Sequence, residues 1–276
     1  MSICEKANRS DSRRRRLVAC LFLVMSLAPS FGARASDEAE ARFTEAMWGA
    51  DLLLTLAAGP AVLPAGLDLG LPPVPSPQET RDELDRLQFV QTALRDEATR
   101  RLIAFEAETD AVSLLRDYGM IPAREAAPEL WSLLEVTGTE AAWFTLRAKR
   151  ESSRARPTQI RPSLGAVIPV PAHPSYPSGH AAQIYALAEV LGRIVPDCVP
   201  DYRRVAAGVA IRREIAGVHF PSDTRAGAHL AERVTSALFG RESVGGLLAD
   251  AAPVQRAHVA SYGCAPSAPD GTGGLR

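Results

Sequence analysis

Ten residues in three short segments are of the types that bind an anion and attack it. The first segment is Lys149, Arg156 and Pro157. Proline disfavours helical geometry in the residue before it, so a helix bearing Lys149 ends ahead of Pro157. Both cations then converge on one anion. Of 31 basic residues only Lys6 and Lys149 are lysines, so the one lysine beyond the N-terminal region falls in this segment. The second segment, Pro177-Ser178-Gly179-His180, opens an apolar run through Tyr185, Leu187 and Leu191. Ser178 suits an N-cap, and the free N–H groups of Gly179 and His180 point out of the helix start, where anions bind. The third is Arg213, His219 and Asp223. Pro221 fits a first helical turn, which places His219 just before that helix and Asp223 inside it. A carboxylate there accepts a hydrogen bond from one imidazole nitrogen and aims the other outward.

Each feature alone has a plain structural reading. A lysine usually sits on a solvated helix face, a serine often caps, and an acid is favoured in a first turn by the dipole. A histidine before a helix is commonly a half-buried loop residue. Taken together, with two fixed internal spacings, the set arises by chance on the order of once in ten million chains. The joint reading therefore outweighs the separate ones.

The elements that must position these residues read as helices, and strand signals are nearly absent. Asp37 to Ala58 is expected as one helix, stopped by Gly59-Pro60, and residues 59–77 as an ordered connector. Ser76-Pro77-Gln78-Glu79 is a capping box with proline at the first helical position. Leu84, Leu87, Val90 and Leu94 follow as an amphipathic stripe. Further helices are expected over 96–117, 128–136, 138–152, 179–194, 201–215 and 221–239, and the tail from Gly240 (about 240–276) as loose apart from any cysteine tether. There is no internal repeat. The expected architecture is an all-α helical bundle.

The N-terminus carries Arg13 to Arg16, an apolar run from Leu17 to Leu27, and Ala33-Arg34-Ala35. This pattern predicts a signal peptide over 1–35, cut before Ser36, and a periplasmic or secreted domain over 36–276. The apolar run is too short and wrongly flanked for a stable membrane span. Leu17-Val18-Ala19-Cys20 resembles a lipoprotein box but has no apolar segment before it, and Ser12-Arg13-Arg14 leaves the twin-arginine route open. Of the 31 basic and 32 acidic residues, seven and two fall in the first 35, leaving 24 and 30. That acidic balance argues against nucleic acid or an anionic membrane as partner. Cys198 and Cys264 remain, an even pair for which a disulfide or two separate thiols both stay open. Neither has zinc-type spacing.

Lys-x6-Arg-Pro, Pro-Ser-Gly-His and Arg-x5-His-x3-Asp in succession resemble the phosphatidic-acid-phosphatase type 2 superfamily, which includes bacterial acid phosphatases and vanadium haloperoxidases. Ser175 to His180 and Gly217 to Asp223 are similar to secreted class A nonspecific acid phosphatases, as is Leu71-Pro72-Pro73-Val74-Pro75. The resemblance covers roughly residues 70–240. It implies a helical bundle of that type and metal-independent hydrolysis of phosphate monoesters through a phosphohistidine. By position it makes His219 the nucleophile, Asp223 its orienting partner and His180 the general acid, then base. Lys149, Arg156, Ser178, Gly179 and Arg213 would hold the phosphoryl oxygens, an arrangement that phosphoryl transfer favours. Partners would be small phosphorylated organic molecules, with no cofactor, and vanadate an inhibitor; homo-oligomerisation stays open.

The departures are Arg212 where serine is usual, Ala181 where threonine is common, and His173 where glycine or an acid is. His173 is expected at the rim, and His229 and His258 as structural or solvated. A vanadium haloperoxidase would use the same cage with vanadate as cofactor. A silent phosphate-binding protein would need neither His180 nor the His219–Asp223 pair. A membrane lipid phosphatase would need apolar spans that residues after 35 lack.

Overall fold

The computed structural model describes residues 42–267 and Pro269. The expected signal segment, its cut at Ser36, Cys20 and the start of the first expected helix lie outside the described residues. The described chain is helical, with no strand among the described residues beyond an isolated bridge between Arg42 and Arg154.

The helices are α1 (Ala50–Ala58), α2 (Pro77–Leu94), α3 (Glu97–Glu108), α4 (Ala111–Asp117), α5 (Pro128–Ser152), α6 (Pro157–Ile160), α7 (Gly179–Ile194), α8 (Val199–Ile215), α9 (Pro221–Phe239) and α10 (Glu242–Tyr262). Of the four that carry the motif residues, α7 lies at the centre against α5, α8 and α9, and α9 also packs on α5 and α8. Leu187, Val190 and Leu191 of α7 have almost no exposed surface. Burying each such side chain contributes about 1.5–3 kcal/mol. The α7–α9 contact needs Gly227, where a Cβ would lie 2.6 Å from the Ser178 carbonyl oxygen and 2.9 Å from Ala181 Cβ. Glycine thus lets α9 approach the start of α7, where two of the three segments meet.

Several boundaries differ from the sequence reading, each for a local reason. Of the helix expected over Asp37 to Ala58, the described part is a 3-10 turn at Glu45–Met47 and then α1 from Ala50, because Trp48 and Gly49 are extended and the Gly49 N–H donates to the Ala172 carbonyl. The segment 96–117 is two helices, since the Asp110 side chain accepts from the N–H groups of Val112 and Ser113 and starts α4. Residues 128–136 and 138–152 form one helix, α5, with Gly138 buried inside it against Leu187. The largest correction concerns the tail. Residues expected to be loose form α10, which packs along α5 and buries Val244, Ala251 and Gln255. A disulfide joins Cys198 to Cys264 just beyond it. The 59–77 connector is ordered as expected: the fully buried Glu140 carboxylate accepts from the N–H groups of Ala61, Val62 and Leu63.

Candidate active site

The three segments come together at one end of the bundle. Lys149 sits in the last turn of α5, and Arg156 follows it in extended conformation before Pro157. Ser178 caps α7, its Oγ accepting from Ala181 N at 3.4 Å, with Gly179 and His180 as the first helical residues. Arg213 lies in the last turn of α8, His219 in the loop beyond, and Asp223 in the first turn of α9. That loop depends on Gly217, whose φ is +84° and whose Cβ would meet the Gly165 carbonyl at 2.7 Å. A cavity of about 190 Å³ is lined by Lys149, Gly179, His180, Arg213 and His219, together with Thr145 and His173. Arg156 closes its side, with Nη1 3.3 Å from His219 Nε2. The Ser178 hydroxyl is buried beneath the helix start rather than lining this cavity.

The hydrogen bonds assign the His219 tautomer. Arginine only donates, so Nε2 facing Arg156 carries a lone pair and Nδ1 carries the proton, which it donates to Asp223 Oδ2 at 3.2 Å. Asp223 has no exposed surface and is held on all sides. Its Oδ2 also accepts from Phe220 N at 2.9 Å and from the Ser175 hydroxyl, and its Oδ1 accepts from Arg154 Nη1 at 2.7 Å. A carboxylate with four donors cannot rotate, and neither can the imidazole bonded to it.

The cations are buried and incompletely paired. Lys149 Nζ donates to the carbonyls of Pro174 and Ser175 at 2.7 and 2.9 Å, with no acid in contact among the described residues. Arg156 donates to the carbonyls of His173 and Val218 at 3.1 and 2.6 Å. Arg213 Nη2 reaches the Ile103 carbonyl at 3.0 Å and Glu106 at 3.3 Å, while its Nε and Nη1 find no partner among the described residues. Unpaired buried donors carry a desolvation penalty that a bound anion relieves. Five buried cations, Lys149, Arg154, Arg156, Arg212 and Arg213, face three acids, Glu83, Glu106 and Asp223. Glu214, also buried beside Asp223 and Glu83, is pushed up by burial to about 7, so the excess is two positive charges in acid, where that carboxyl is neutral.

Proton affinities follow from this surplus. Burial, with Arg156 and Lys149 adding to it, holds His219 well below the ordinary imidazole value against the hydrogen bond to Asp223. Burial and the cations Arg213, Arg156 and Lys149 push His180 down to about 3. Burial and Arg156 lower Lys149. Burial raises Asp223, but Arg154, His219 and Ser175 outweigh it and leave it well below the carboxylate range.

Five further residues join the site that motif spacing did not single out as such. Arg154 binds Asp223, Ser222 Oγ at 2.7 Å and Glu83 at 2.9 Å, with its guanidinium 3.8 Å over the Phe220 ring. Its one sequence signal is a place inside the first segment, two residues before Arg156. Ser175, noted only as part of a longer match, binds Asp223. Glu106 takes Arg212 through both Nε and Nη2, at 2.5–2.9 Å, and also the Tyr118 hydroxyl at 2.6 Å. Arg212, where serine is usual, is thereby committed to Glu106. His173 is not merely at the rim: its Nδ1 lies 3.0 Å from Arg156 Nη2. His258 bonds the Gly119 carbonyl, and His229 lies away from the cavity with Nε2 unpartnered.

Among the described residues no three His, Cys, Asp or Glu side chains are grouped to hold a metal ion, and no helix is long and apolar enough to cross a membrane. No curated protein matches the chain. The family model of the PAP2 superfamily matches residues 129–240, the stretch from α5 through α9 that supplies every residue of the three segments. That match identifies a PAP2 superfamily domain over residues 129–240, and the all-α architecture is consistent with it.

Proposed function

We propose that this protein is an exported acid phosphatase that hydrolyses phosphate monoesters through a covalent intermediate on His219. The observation that carries the reading is the His219 imidazole, fixed at Nδ1 by Asp223 and presenting an unprotonated Nε2 among Lys149, Arg156 and Arg213. Family membership supports phosphoryl-transfer chemistry in general. The two surplus positive charges complement a monoester dianion, and three cations with the Gly179 N–H can stabilise equatorial phosphoryl oxygens without a metal.

In the first step the Nε2 lone pair forms a bond to phosphorus as the bond to the ester oxygen breaks. His180 gives its proton to that oxygen. In the second step His180 takes a proton from water, the water oxygen bonds phosphorus, and the P–N bond breaks. Asp223 holds the proton on Nδ1 throughout and stabilises the charge that builds on the ring. An acid optimum follows from the proton affinities. His180 is neutral in the empty site above about pH 3. The ester monoanion, present below its second pKa of about 6, brings the proton that His180 needs. The surplus positive charge favours the dianion form of the bound ester, which moves that proton from the monoanion to the ring.

Export rests on the N-terminal pattern and is supported by the Cys198–Cys264 disulfide, a bond that persists in oxidising compartments. The deciding experiment sets p-nitrophenyl phosphate hydrolysis, before and after EDTA, beside bromide oxidation with added vanadate. Hydrolysis that survives chelation is expected. Bromide oxidation without hydrolysis would make the cage a vanadate-cofactor site, and activity that returns only with Mg²⁺ or Zn²⁺ would sink the metal-free mechanism.

A further inference from the structure

A second cavity, of about 320 Å³, shares two wall residues with the catalytic one: His180 and Gln183 line both. The rest of its wall is the corner between α3 and α4, Ala107 to Ala111, backed by side chains of α4, α7 and α8. None of Lys149, Arg213 and His219 lines it. The two cavities thus lie on either side of the proposed leaving-group acid.

In-line displacement fixes which cavity receives the leaving group. The breaking bond points away from His219 Nε2, toward the residue that protonates the departing oxygen. Ile168, which lines the catalytic cavity, packs against the cluster that holds Val218, the residue before His219, so that part of the apolar wall belongs to the nucleophile's side. The space that touches His180 without touching His219 is the second cavity. Its size is that of a small-molecule site.

Its lining has a definite chemistry. Glu108 is exposed at the end of α3, and Asp110 follows at the corner. The Thr109 hydroxyl spends its proton on the Phe105 carbonyl at 2.8 Å, which leaves its oxygen free to accept. Gln183 adds an amide, and among the described residues no lysine or arginine lines the space. Two acids, a hydroxyl and an amide suit donors such as sugar hydroxyls and repel a carboxylate or second phosphate.

We infer that this cavity is the leaving-group subsite and selects esters of neutral, hydroxyl-rich alcohols over esters whose alcohol carries negative charge. The inference rests on the phosphomonoesterase reading above and names its substrate class. The test compares kcat/KM for glucose 6-phosphate and 3-phosphoglycerate in the wild type and in Glu108→Arg, with phenyl phosphate assayed in the wild type alone. Glu108 is exposed, and a cation at a helix C-terminus is favourable, so the variant folds. The wild type should prefer glucose 6-phosphate by about tenfold. Reversing one charge near the surface should narrow or invert that ratio by about five- to tenfold. A ratio unmoved by Glu108→Arg, in a wild type that hydrolyses phenyl phosphate, overturns the subsite and leaves the phosphatase reading standing. A wild type that hydrolyses none of the three esters overturns both.

Discussion

Replacing Arg154 by methionine removes the one cation that touches Asp223, at 2.7 Å from Oδ1, and spares all ten motif residues. Asp223 and Glu83 are then left facing each other's charge in a nearly dry setting, with Ser222 short of a donor. Breaking a buried ion pair from one side costs about 3–5 kcal/mol. The catalytic consequence is separable from this. Asp223 has a depressed pKa, so its ionised form is retained as pH falls, and Arg154 is the largest of the influences that lower it. Removing an adjacent opposite charge returns about 1–3 units. The acid limb of kcat/KM should therefore move to higher pH by about 1–3 units. At a fixed pH on that limb, the loss is about tenfold per unit. Arg154→Lys, which restores the charge but cannot bridge Asp223 and Glu83 as a planar fork, should lie between. The assay is p-nitrophenyl phosphate hydrolysis from pH 3.5 to 8, with urea denaturation at pH 7 to measure the stability loss separately. An Arg154→Met enzyme that is destabilised but keeps the wild-type acid limb would refute the reasoning, because the arginine would then be structural only.

The two histidines should separate by substrate. His219→Ala should be nearly inactive toward every ester and should lose acid-labile labelling from a phosphorus-32 substrate. His180→Ala should lose far more with alkyl phosphates than with p-nitrophenyl phosphate, whose leaving group needs little protonation; labelling that depends on His180 and survives loss of His219 would reverse the roles. Lys149→Arg keeps the charge, but a guanidinium cannot fit between the Pro174 and Ser175 carbonyls as Nζ does, so turnover should fall, and near-normal rates would place Lys149 outside the site. His173, His180 and His219 all have lowered pKa values. On unfolding each returns toward 6.5, so the unfolded chain binds more protons below that pH and stability is lost as pH falls, by up to about 1.4 kcal/mol per unit per histidine. Phosphate, by filling the cationic site, should restore about 2.7 kcal/mol at a hundred times its Kd. Denaturation midpoints at pH 4.5 and 7, with and without phosphate, check both signs, and a midpoint that rises in acid would contradict the burial of neutral imidazoles.

What the sequence determines here is local. A cap, a proline and the residues within one turn of them constrain each other through a few bonds. That is why α7 and α9 begin and end where their signals place them, and why His219 meets Asp223 four residues on. The reading fails where the deciding contact is distant or the pattern is dilute. In α10, Gly245, Gly246 and Pro253 mask the apolar face, and only packing against α5 and the nearby disulfide make that segment a helix. Arg154 and Asp223 are 69 residues apart, and Arg212 and Glu106 are 106 apart. No spacing rule links such pairs, and an arginine or glutamate on a helix reads as solvated until its neighbours are known. Only the tertiary structure decides which charges are buried, and burial sets their strength: Asp223 and Glu106 are held by arginines and Glu140 by three backbone N–H groups, and the positive charge left unpaired at the cavity suits an anion.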